Sequence, residues 1–91
     1  MPGNVPLVQI LSRRNCCLCE DAKEVVRRVA IRGLCEWEEI DVDVDPELRA
    51  RYGMDIPVVL INGRKAFKHR LDESALCLRL SREQLRGNAT C

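Results

Sequence analysis

The sequence predicts one α/β domain, a mixed four-stranded sheet with helices covering both faces, in the order β-α-β-α-β-β-α. Three observations carry that prediction. A nearly continuous apolar run, Val5 to Leu11, leads directly into a segment whose apolar residues recur at helical spacing. An Asn62-Gly63 pair, the chemistry of a two-residue hairpin turn, separates two strand-like segments near the other end. The chain has 91 residues, enough for a single core and no more.

In order along the chain, Val5, Leu7, Val8, Ile10 and Leu11 read as a strand buried on both faces, with Pro6 tolerable only at its beginning. Leu18, Ala22, Val25, Val26 and Val29 then share one face of a helix over 17–32, and Gly33 stands where a helix C-terminus wants a left-handed residue. Trp37, Ile40, Val42 and Val44 alternate with acids, as in a second strand with one wetter face. Asp45-Pro46-Glu47 opens a short helix carrying Leu48 and Tyr52, which stops at Gly53. Val58 to Ile61 is the third strand, and Arg64 to Lys68 returns from the hairpin as the fourth. Asp72 caps a last helix with apolar positions Leu76, Leu78, Leu80 and Leu85, ending at Gly87; Asn88 to Cys91 reads as a tail. A βαβ start requires parallel strands, and a hairpin end adds an antiparallel pair.

Composition narrows the function. With 15 Lys+Arg against 14 Asp+Glu there is no basic excess of the kind a nucleic-acid binder carries. The basic residues Arg64, Lys65, Lys68 and Arg70 on the hairpin read as a solvated face. No apolar run approaches the roughly 20 residues that span a bilayer, and no secretory signal is visible after Met1. The expected setting is therefore cytoplasmic, with an organelle left open, and no nucleic-acid or membrane partner is expected.

The six cysteines ask for a chemical explanation. Cys16, Cys17 and Cys19 fall within four positions, whereas a disulfide scaffold spreads its bridges to close long loops. The Cys16–Cys19 pair lies where the buried strand ends and the first helix begins. There, unpaired N–H groups and the helix dipole favour a thiolate over a thiol, and such thiols fall from about 8.5 to roughly 3.5–7.5. Arg13 and Arg14 add positive potential, while Glu20 and Asp21 oppose it. Cys16, at the cap, is the expected nucleophile; Cys19, one turn on, is placed to resolve a mixed disulfide. Cys35 and Cys77 read as small core hydrophobes, Cys17 as a bystander, and Cys91 as a tail thiol. Ile56-Pro57, directly before the third strand, either starts that strand or, if cis, presents Ile56 backbone as a docking edge for an extended substrate.

Strand, C-x-x-C, helix and then Ile56-Pro57 ahead of a hairpin resembles the thioredoxin-like superfamily. At finer grain the chain is similar to the small glutaredoxin-like proteins. The residues that carry the resemblance are Cys16-Cys17-Leu18-Cys19-Glu20-Asp21-Ala22-Lys23, Ile40-Asp41-Val42-Asp43, Arg51-Tyr52-Gly53, Ile56-Pro57, Asn62-Gly63 and His69-Arg70. It implies a thioredoxin/glutaredoxin-like fold and a thiol–disulfide oxidoreductase with Cys16 as nucleophile, Cys19 as resolving thiol and Pro57 as a cis-proline. It also implies Arg13 and Ile56 as substrate contacts. No bound cofactor is implied; glutathione is a candidate reductant, and the partner is a disulfide-bearing protein or glutathione, met by a monomer. Cys17-Leu18 stands where typical glutaredoxins have Pro-Tyr. Ala66-Phe67-Lys68-His69-Arg70 stands where they have the Gly-Gly and acid that hold glutathione's γ-glutamyl end.

Two other readings come from the same residues. Thiolates select Cu(I), Zn and iron–sulfur clusters, so Cys16, Cys17 and Cys19 could bind a soft metal or cluster across a dimer. Alternatively the fold holds a partner along its Ile56-Pro57 edge and its cysteines are redox-silent.

Overall fold

In the computed structural model the described residues are 5–89, with side chains described through residue 83. The elements are β1 (Leu7–Ser12), α1 (Cys17–Ile31), β2 (Glu36–Asp41), a 3₁₀ turn (Val42–Val44), α2 (Pro46–Tyr52), β3 (Val58–Ile61), β4 (Arg64–Lys68) and α3 (Glu73–Ala89). The sheet order is β2-β1-β3-β4, with β1 parallel to β2 and the pairs β1–β3 and β3–β4 antiparallel. This is the expected mixed sheet. With β2 on one side and β3 on the other, β1, the strand that feeds the cysteines, lies in the interior of the sheet.

Local chemistry explains the element boundaries. Asp45 accepts from the backbone N–H of Glu47 at 2.9 Å with Pro46 as the first helical residue, and Asp72 accepts from the N–H of Ala75 at 3.0 Å. Both satisfy orphan donors of a helix start. Gly33 ends α1 at φ +81° while its N–H donates to the Ala30 carbonyl at 2.9 Å, the geometry that favours glycine there. Asn62 and Gly63 both take positive φ, 51° and 85°, as a type I′ turn requires.

Two apolar layers sandwich the sheet. Val8, Ile10, Val59 and Ile61 meet Val26 and Val29 of α1 and Leu76 and Leu80 of α3 on one face. Leu11 and Val58 meet Val42 on the other, with Leu48 and Tyr52 of α2 packed against them. Helices therefore cover both faces, although the shorter α2 covers only the end that holds Leu11 and Val58.

Three details differ from expectation. The second strand stops at Asp41, because the Asp41 carboxylate accepts from the N–H of Asp43 at 2.9 Å and turns the chain. Val42 is then buried in a 3₁₀ turn, and Val44 is 76% exposed. Leu78 is 54% exposed while Leu76 and Leu80 are buried: two helical residues apart lie on nearly opposite faces, four apart on the same one. The last helix continues past Gly87 to Ala89, since a glycine inside a helix costs only about 1 kcal/mol and no proline follows it. Leu85 as a core position and Cys91 as a tail thiol fall outside the described side chains.

Candidate functional site

Asn15 is the pivot between β1 and α1. It takes φ +61°, a left-handed conformation that asparagine tolerates better than most residues, and so turns the strand into the helix within a few residues. Cys16 then occupies the N-cap. Its Sγ accepts from the backbone N–H of Cys19 at 3.2 Å, where a serine or aspartate oxygen usually sits. Cys16 and Cys19 form a disulfide pair, with Cα atoms 5.2 Å apart. Their surroundings are unequal: Cys16 is half-buried at the rim, and Cys19 is 1% exposed beneath it. Cys17 is exposed and unbridged, with its neighbour Leu18 also turned to solvent. Among the described residues no group of three or more His, Cys, Asp or Glu side chains is gathered as a metal ion would need.

The Ile56–Pro57 peptide bond is cis. Pro57 is buried, and its carbonyl accepts from the N–H of His69 at 2.8 Å, which ties the start of β3 to the end of β4. Ile56 is half-buried against Leu11, Val42 and Val58. The Arg13 guanidinium turns inward: its Nε donates to Asp43 at 2.9 Å, and Nη1 reaches the Gly53 carbonyl at 3.5 Å. A Cβ on Gly53 would come within 2.5 Å of the Arg49 carbonyl oxygen and 3.1 Å of Arg13 Nη2, so the position needs glycine. Arg14 is exposed beside the cysteines.

A polar network lies next to the motif, and no sequence pattern pointed to it. Ser12, 1% exposed at the end of β1, donates its hydroxyl to Glu39 of β2 at 2.6 Å. Lys23 of α1 joins the same carboxylate at 3.1 Å and Glu20 at 2.7 Å. Together with Arg13 and Arg14 these groups line a hollow of about 280 Å³ beside the Cys16 loop. The Ser12 hydroxyl first, and the Lys23 ammonium second, hold the Glu39 carboxyl below its ordinary range. Hydrogen bonds from Lys23 to Glu20 and then to Glu39 hold the ammonium above its own.

These two shifts have opposite pH signatures. The stability due to Glu39 is complete above its unfolded pKa of 4.5 and is lost as pH falls through the lower folded value. That due to Lys23 is complete below 10.5 and is lost as pH rises through the raised folded value. Glu39→Gln will therefore be less stable than wild type near neutrality, and the gap will close on acidification. Thermal unfolding of both proteins from about pH 7 to about pH 3 checks this; a gap that persists undiminished at the acid end would refute it.

Comparison with known proteins agrees with this geometry. The model of the glutaredoxin-like domain (DUF836) matches residues 7–81, from β1 into α3. The chain belongs to this glutaredoxin-like family. An uncharacterized protein of Mycobacterium tuberculosis is 34% identical over 76 residues, 78% of each chain. A glutaredoxin-like protein of Dictyostelium discoideum is 31% identical over 75 residues, 76% of this chain and 69% of that one. Among solved structures, a structural-genomics target protein from X. campestris superposes with a TM-score of 0.68 at 25% identity, covering 82% of this chain and 96% of its own. A mutant thioredoxin from Halobacterium salinarum superposes at 0.67 with 22% identity over 89% of this chain and 76% of its own, a likeness of fold. The glutaredoxin-like chain thus has a thioredoxin-like fold and a redox-type cysteine pair at the helix N-terminus.

Proposed function

We propose that this glutaredoxin-like protein is a dithiol–disulfide oxidoreductase in which Cys16 attacks and Cys19 resolves. The observation that carries the reading is the inequality of the two sulfurs. One stands at the rim and receives a backbone N–H; the other waits 1% exposed one turn inside the helix. The Cys16 thiolate attacks a substrate disulfide and expels one thiolate, leaving a mixed disulfide. Cys19, as thiolate, attacks the Cys16 sulfur, releases the second substrate thiolate and closes Cys16–Cys19. The substrate gains two electrons and the protein loses two. An extended peptide or glutathione disulfide lies along the Ile56–Pro57 edge, whose backbone offers hydrogen bonds while the attacked sulfur faces Cys16. Arg13, anchored on Asp43, and Arg14 supply positive potential at the rim.

Intact mass after equilibration in a series of glutathione redox buffers tests this. The expected result is a two-proton loss assigned by fragmentation to Cys16–Cys19, with a midpoint in the roughly −180 to −270 mV range of catalytic dithiols. A stable glutathione adduct on Cys16 would remove Cys19 from the mechanism. No change across the series would overturn the proposal.

A further inference from the structure

The helix α1 carries ion pairs of two kinds. Arg27 meets Glu24 at 2.7 Å with both side chains about half exposed, an ordinary surface pair within one helix. Lys23 is different. Its side chain is only 15% exposed, and its ammonium lies 2.7 Å from Glu20 on its own helix and 3.1 Å from Glu39 on β2. The Glu39 oxygen that meets Lys23, Oε2, is the one that accepts the buried Ser12 hydroxyl at 2.6 Å. Ser12, Glu39, Lys23 and Glu20 thus form one chain of contacts, from the last residue of β1 across β2 to the first turn of α1.

That chain of contacts lies against the cysteine motif. Glu20 directly follows Cys19, and its N–H donates to the Cys16 carbonyl at 3.1 Å. Lys23 is four residues on from Cys19, so the two share a face of α1, and side chains on a helix lean back toward its N-terminus. The face is the inward one: Cys19 is 1% exposed, and Lys23 reaches β2 from it. Ser12, Glu20, Lys23 and Glu39 line the same hollow as Arg14 and Asn15, the two residues that lead into Cys16. One ammonium against two carboxylates leaves this network net negative. A pair that only pinned the helix surface would need neither the buried hydroxyl nor the link to a second element.

We propose that Lys23 and Glu39 set the reduction potential of the Cys16–Cys19 pair in opposite senses, Lys23 raising it and Glu39, held in place by Ser12, lowering it. The inference rests on the dithiol reading above and says what tunes that site. On reduction the disulfide takes up two electrons and one proton, the S–S bond breaks, and the products are the Cys16 thiolate and the Cys19 thiol. Only the reduced side carries the new negative charge. The Lys23 ammonium, one turn behind the sulfurs, stabilises that side, and the Glu39 carboxylate offsets it. Both charges are partly withdrawn from water, so they are screened less than those of Arg14 or Asp21 at the surface. Neither residue touches substrate in this scheme; both are positioning residues that act through the sulfurs.

The test measures the midpoint potential of the full-length wild type, Glu39→Gln, Lys23→Met and Lys23→Arg across glutathione redox buffers. The disulfide is located by fragmentation of the tryptic peptide 15–23, which lengthens to 15–27 in Lys23→Met. Glutamine keeps an oxygen for Ser12 and removes only the charge; methionine keeps the apolar stem of lysine. Glu39→Gln is expected to shift the equilibrium toward the dithiol about 10-fold, a midpoint about 30 mV less negative, and Lys23→Met to shift it about 10-fold the other way. Lys23→Arg, which keeps the charge, should stay within about 3-fold of wild type. Loosened packing of α1 would move Glu39→Gln and Lys23→Met in the same direction, so a merely structural role does not give opposite signs. If the pair titrates but these two variants shift alike, if either stays at the wild-type midpoint, or if Lys23→Arg shifts as far as Lys23→Met, the inference fails and the dithiol reading stands. If Cys16–Cys19 forms in none of the four proteins, both fail.

Discussion

Replacing Cys16 with serine will reduce disulfide turnover to the uncatalysed background, whereas replacing Cys19 with serine will leave the first step intact and trap its product. Serine at position 16 keeps a cap for α1, because its oxygen accepts the same N–H that the Cys16 sulfur accepts at 3.2 Å. The fold is therefore preserved while the nucleophile is lost. Serine at position 19 removes the sulfur that would displace the substrate, and a mixed disulfide on Cys16 accumulates. Cys17 does not substitute for it. It is exposed, and closing a ring between adjacent cysteines forces geometry that disulfides avoid. The checks are turnover of a glutathione-linked or peptide disulfide, and intact mass without reduction. Cys19→Ser should carry the mass of one substrate half on Cys16; Cys16→Ser should carry none. Equal turnover by both variants and wild type would sink the dithiol mechanism.

The same pair of residues marks how much of the molecule its sequence discloses. Several features governed by near neighbours could be read: Asp45 and Asp72 as caps, Gly33 as the end of α1, Asn62-Gly63 as the hairpin, and a thiol at the N-terminus of a helix. Each depends on residues within one turn of itself, so its chemistry is written locally. The Asp41 turn is local too, but the alternating Ile40, Val42 and Val44 imitate a strand there. What could not be read at the site depends on register. Ser12 meets Glu39 across 27 positions, and Arg13 meets Asp43 across 30, only because β1 and β2 run parallel with Leu7 opposite Glu36. Arg13 could be placed near the cysteines from sequence, but its anchorage on Asp43 and the Gly53 carbonyl could not.

Periodicity has the same limit, and α3 shows it. Leu76 and Leu78 look alike in sequence, yet one is 0% and the other 54% exposed. Leu76→Ala will cost about 2–5 kcal/mol, the transfer energy of the lost methylenes plus the cavity they leave. Leu78→Ala will stay within about 0.5 kcal/mol, because a half-exposed helical leucine buries little and alanine is the better helix former. A 91-residue domain has a total stability of roughly 5–14 kcal/mol, so the first change removes a large share of it. Leu76 sits where α3 meets Val26 and Val29 of α1 and Ile10 of β1, and β1 and α1 are the elements that present Cys16 and Cys19. Its loss therefore loosens the helix that carries the cysteines as well as the one it belongs to. Thermal unfolding should place Leu76→Ala on the order of 10 °C or more below wild type, with Leu78→Ala close to it. Equal melting of the two variants would mean that α3 does not hold the core through Leu76, and that the sheet and α1 retain the cysteine site without it.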